Sequence, residues 1–157
     1  MGYMQELDAL GRWVFQVAGL KSHRLSAAPP QVARPVILWE APSRTRGRNL
    51  GNYHYKKSTS QFGKLYVNNL SQLADLVDLL EADLGFKFEG LPVYESDQVG
   101  AQQVGTLRKV ELDVSSSQVV DIPITIKYEV IYSRPLPLAA PGATRVETRL
   151  RGALRNE

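Results

Sequence analysis

Two histidines, His23 and His54, are all the imidazole in this chain of 157 residues, and it has no cysteine. Neither histidine has a second His or a carboxylate at ligand spacing, so no metal site is expected. Glu111 and Asp113 share one side of an alternating segment, and paired carboxylates can hold a magnesium ion for phosphodiester cleavage. Nucleases of that kind place a lysine two positions after an acid, whereas Lys109 lies upstream of both acids here. The wet face of a sheet accounts for the pair. Gly47 and Gly51 are followed by neither a Lys-Ser or Lys-Thr at phosphate-loop distance nor a helix start, and no nucleophile elbow occurs. The sequence therefore assigns no catalytic residue, cofactor-binding residue or metal ligand, and no enzyme activity is expected.

What remains as chemistry is charge, and it is sorted along the chain. Residues 41–74 contain six cations (Arg44, Arg46, Arg48, Lys56, Lys57 and Lys64) and no carboxylate, while residues 70–84 carry Asp75, Asp78, Glu81 and Asp83. Gly47, Asn49 and Gly51 predict an irregular, exposed basic loop over residues 43–51. Such a loop, followed by a helix whose polar side is purely acidic, suits either phosphate or a neighbouring copy of the chain. The candidate interface residues are Arg44, Arg46, Arg48, Lys56, Lys57, Asp75, Asp78, Glu81 and Asp83. A self-assembling ring needs two different complementary patches on each copy, which favours the second option.

The elements that position these residues follow from periodicity. Tyr3, Leu7, Leu10, Val14 and Val17 recur at helical spacing, and Gly19 ends that helix. Residues 22–30, with Pro29 and Pro30, read as an extended linker containing His23. Residues 35–41 form a continuous apolar run expected to be a central strand stopped by Pro42. Residues 52–57 and 61–68 read as two strands, or one bent at residues 58–60, and place His54 in a strand. Leu70, Leu73, Leu76, Val77, Leu80 and Leu84 form the stripe of a second helix, capped by Asn69 with Gln72 reaching back and terminated by a left-handed Gly85. A short strand is expected within residues 86–95 and a polar loop over residues 96–105. In residues 106–114, Val110, Leu112 and Val114 oppose Lys109, Glu111 and Asp113. In residues 119–132, the even-numbered positions from Ile122 to Tyr132 share a face. Residues 115–118 join these two strands as a hairpin.

Helix, strands, helix, strands predicts an α+β domain over residues 1–133: an antiparallel or mixed sheet with two helices packed on one face. Pro135, Pro137, Pro141 and Gly142 then introduce an extended C-terminal tail, residues 134–157, too sparse in apolar residues for its own core. The net charge of +3 falls short of the basicity that alone argues for nucleic-acid binding. Glu6, Asp8 and Arg12 interrupt the first apolar pattern, so no signal peptide is read there, and no apolar run approaches the roughly 20 residues of a membrane span. A soluble protein without a membrane partner is expected.

The Arg-Pro-Val-Ile-Leu-Trp strand entry at 34–39, the helix at 70–84 and the Asp-Ile-Pro-Ile-Thr-Ile-Lys-Tyr run from Asp121, together with the first helix, resemble the phage tail terminator (tail-completion) family over roughly residues 3–133. The resemblance implies a virion structural protein without enzymatic activity or cofactor, assembled in the host cytoplasm. Its copies would form a hexameric ring that caps the tail-tube protein and meets a head-completion or connector protein, with DNA passing through without sequence-specific binding. Two alternatives stand beside it. One is a head-completion or neck connector protein; the other is a small nucleic-acid-binding module using Arg44, Arg46, Arg48, Lys56 and Lys57.

Overall fold

The computed structural model describes residues 1–86, 89–115 and 121–133. Helix α1 spans Tyr3–Ala18, β1 Lys21–Arg24, β2 Val36–Trp39, β3 Ser43–Asn49, β4 His54–Tyr66, α2 Leu70–Phe86, β5 Leu91–Tyr94, β6 Gln103–Val114 and β7 Ile122–Ser133, with a short 3-10 turn at Leu25–Ala27. The seven strands form one mixed sheet in the order β1-β2-β4-β7-β6-β5, with β3 paired to β4 off that path. Among the described residues only β1 and β2 run parallel; every other pairing there is antiparallel. The expected α+β class holds, with both helices feeding one core against one face of the sheet. The C-terminal tail and most of the expected 115–118 hairpin lie outside the described residues.

The long strand β4 organises the sheet. Along one side it pairs with β2 near Leu65 and then with β3 near Thr59, and along its whole other side it pairs with β7 from His54↔Ser133 to Leu65↔Ile122. Pro42, which has no N–H to give a ladder, sits between β2 and β3. Of the two readings for residues 52–68, the single long strand is the observed one: β4 runs through Ser58 and Ser60, where β3 and β7 hold it on both sides.

Register decides which side chains meet the helices. Odd-numbered residues of β4 lie opposite even-numbered residues of β7, so Leu65, Ile122, Ile124, Ile126, Tyr128 and Val130 form the buried side with Ile37 and Trp39 of β2. The alternation read for β7 is the observed one. In β6 the pairing to β7 shifts between Arg108 and Glu111, and Lys109 has a φ of 50°. This bulge leaves both Arg108 and Lys109 exposed and sets Val110, Leu112 and Val114 on the partly buried side. Gly63 permits the β2–β4 contact, since a Cβ there would stand 3.0 Å from Trp39 Cε3 and from the Leu38 carbonyl.

Helix α1 buries Leu7, Leu10, Trp13 and Val14, and α2 buries Leu73, Leu76 and Leu80. Gly19, at φ 65°, ends α1 as the sequence suggests. At the start of α2 the Asn69 side chain accepts the Gln72 N–H at 2.8 Å, and Gln72 reaches back to the N–H of Asn68, one residue before the cap. Two details of α2 differ from expectation. Gly85 lies within the helix, which continues to Phe86, and Leu70 is 61% exposed because it precedes the first turn that touches the sheet. His23 belongs to β1 and not to a linker, because its segment pairs with β2.

Candidate functional site

The segment read as a basic loop is a β-hairpin. Residues 43–49 lie in β3, paired with β4 from Ser43↔Ser60 to Asn49↔Tyr55, and the register slips between Arg46 and Asn49. Turn-forming Gly47 and Asn49 mark this irregularity and do not prevent the strand; at Gly47 an added Cβ would stand 3.1 Å from the Lys56 carbonyl. From Thr45 to His54 every residue is exposed, including Leu50 at 43% and Tyr53 at 45%. The tip of the hairpin, with β7 beside it, is therefore an exposed arm.

The candidate cations divide into two groups. Arg44 points into the protein, not away from it. Its Nη2 donates to both oxygens of the fully buried Glu6 carboxylate, at 2.8 and 3.0 Å, and to the Tyr132 hydroxyl at 2.8 Å. Glu6 also accepts from the Tyr128 hydroxyl at 2.8 Å and from the Tyr132 hydroxyl. The Arg44 guanidinium lies 5.1 Å from the Tyr3 ring, whose hydroxyl donates to Gln61 at 2.5 Å. This network joins α1, β3, β4 and β7 at the root of the arm. Burial first, then hydrogen bonding to Glu6, pushes the Tyr132 phenol up to about 12, and burial drives Tyr128 up as well. Lys56 is also engaged, at 2.7 Å from Glu129, which Lys109 approaches at 3.3 Å. The Lys56 hydrogen bond holds the Glu129 carboxyl below its usual range, against slight burial and with help from Lys109.

Arg46, Arg48 and Lys57 form the second group. Arg46 lies 5.2 Å over Tyr55 and bonds Asn49, and Lys57 lies 5.6 Å from the Tyr132 ring; Tyr55 and Tyr132 stack at 5.5 Å between them. Among the described residues none of the three meets a carboxylate.

The acidic candidates divide likewise. Asp83 accepts the Trp13 indole N–H at 2.7 Å and ties α2 to α1, so it belongs to the fold and not to a free surface. Asp75, Asp78 and Glu81 are exposed, with no cation bonded to them among the described residues. Sequence reasoning missed Glu6. The available signal was a carboxylate beside the apolar stripe of α1, together with two phenols, Tyr128 and Tyr132, on the buried face of β7.

Among the described residues no group of three His, Asp or Glu side chains is placed to hold a metal ion, and no helix is long and apolar enough to cross a membrane. His54 Nδ1 lies 3.0 Å from the Ser133 hydroxyl on the edge of the arm. Glu111 and Asp113 sit on the exposed side of β6, where Glu111 faces Lys127 across the ladder. No protein-family model and no curated protein sequence matches the chain.

Proposed function

We propose that this chain is a structural ring-forming subunit of the phage tail terminator type, closing a tail tube and joining it to a head connector. The reading rests on the arm. Residues 45–54 of the hairpin are all exposed, with Leu50 and Tyr53 at its tip, so the isolated fold leaves apolar surface there open to solvent. Leu50 and Tyr53 lie in the turn that joins β3 to β4, and exposed apolar residues grouped at one tip suit a surface that another molecule covers. The Glu6–Arg44 network ties the arm's root to α1. A preorganised arm lowers the ordering cost of association. Function would then lie in shape and assembly, in keeping with the family resemblance over residues 3–133, and the product belongs to the virion.

The arm's tip gives the direct test. Leu50→Ser with Tyr53→Ser removes apolar side chains that lie outside the buried core, so the chain should still fold with only a small loss in thermal midpoint. Light scattering should show oligomers for the parent protein and single subunits for the double variant. A double variant that assembles like the parent overturns the assignment of the arm to assembly.

A nucleic-acid module remains the second reading, favoured by one observation: Arg46 and Lys57 lie over the stacked rings of Tyr55 and Tyr132, and among the described residues neither they nor Arg48 form an ion pair. It predicts a gel shift that weakens steeply with salt.

A further inference from the structure

We infer that the arm of one copy docks on the outward face of α2 in the next copy, Arg46, Arg48 and Lys57 meeting Asp75, Asp78 and Glu81. This rests on the ring reading and names the two surfaces that would make the ring.

The argument is one of unmatched complements. Three of the arm's cations have no carboxylate, and three of α2's carboxylates have no cation, among the described residues. The cations stand on the β3–β4 pair and the acids on α2, so each set is carried by an element of secondary structure. Apolar surface matches too: Leu79 at 49% and Phe86 at 84% exposed lie seven residues apart on the acidic side of α2, and the arm tip offers Leu50 and Tyr53.

Within one copy the two sets form no ion pair among the described residues. Leu73, Leu76 and Leu80 turn one side of α2 to the sheet, so Asp75, Asp78 and Glu81 face away from it. The arm is an extension of that same sheet. A neighbour's arm, however, can reach the outward side. Two unlike patches on each copy make a head-to-tail contact, which closes into a ring when the rotation allows. A phosphodiester backbone would suit the arm but would leave the acidic, partly apolar face of α2 uncovered, and it does not use Leu50 or Tyr53 as apolar groups.

Charge exchange tests the pairing. One variant carries R46E, R48E and K57E; another carries D75K, D78K and E81K. Each alone should give only unassembled subunits by light scattering, since like charges then face one another. Their equimolar mixture should recover assemblies in which the two alternate, and a chain with all six changes should assemble by itself. Because the chain has no native cysteine, Arg48→Cys with Asp78→Cys supplies an independent readout: a ladder of disulfide-linked multimers from folded protein. If the parent assembles and the arm variant assembles equally well, this pairing is wrong while the ring reading stands. If the arm variant assembles normally but loses a low-salt gel shift on single-stranded DNA, the cations serve a nucleic-acid backbone instead. A mixture that stays unassembled, with no disulfide ladder, also overturns the pairing. A parent that never assembles overturns both readings.

Discussion

Glu6 and Arg44 show how a single residue can change its meaning between sequence and fold. In sequence Arg44 is one of three alternating arginines, and nothing distinguishes it from Arg46 or Arg48. In the fold its pairing with Thr59 turns it toward the helices, where Glu6 waits in α1, 38 positions away. A contact at that separation leaves no local pattern. Removing one partner of a buried pair strands the other, so Glu6→Gln should cost about 3 kcal/mol, read as a lowered denaturation midpoint, while Arg48→Gln should leave the midpoint unchanged. The same cluster sets an alkaline limit. Tyr132 is raised to about 12 in the folded protein, above the value of about 10 for a free phenol, and Tyr128 moves the same way. The native state therefore keeps protons that the unfolded chain releases. Stability from these groups is complete below about pH 10 and is lost as pH rises toward 12. Denaturation midpoints should fall across that window, and Tyr132→Phe should flatten the fall.

The elements were legible where one periodicity ran without interruption. Tyr3 through Val17, the even positions of β7 and the Asn69 cap were readable because local rules and tertiary packing agree there. Residues 43–49 were not, because Arg, Gly and Asn favour turns. Only the long partner β4 makes them a strand, and that partnership is not written in the segment itself. In β6 the extra residue at Lys109 set the phase of Val110, Leu112 and Val114, so their alternation was visible but the bulge was not. Periodicity also overextended the stripe of α2. Leu80 is 1% exposed and Leu70 is 61% exposed, so Leu80→Ala should cost about 2–5 kcal/mol and Leu70→Ala should be nearly neutral. Thermal melts of the two variants separate these expectations; equal losses would mean that the first turn of α2 is packed in a way the burial pattern does not describe.

For the whole molecule, charge segregation was the feature of the candidate site most open to reading, and the fold sharpened it by subtraction. Arg44, Lys56 and Asp83 are engaged within the chain. Among the described residues Arg46, Arg48, Lys57, Asp75, Asp78 and Glu81 remain as unmatched charge, the cations on the arm and the acids on α2. Exposed charges are screened within about 8 Å at physiological ionic strength, so an assembly using them should loosen as salt rises, with Leu50, Tyr53, Leu79 and Phe86 supplying the salt-insensitive part. Sedimentation velocity of the purified chain at low and high salt tests the central claim most directly. The account predicts one discrete closed species, a whole multiple of the 17.5 kDa subunit, that dissociates as salt is raised. A 17.5 kDa monomer at every concentration and salt would contradict it.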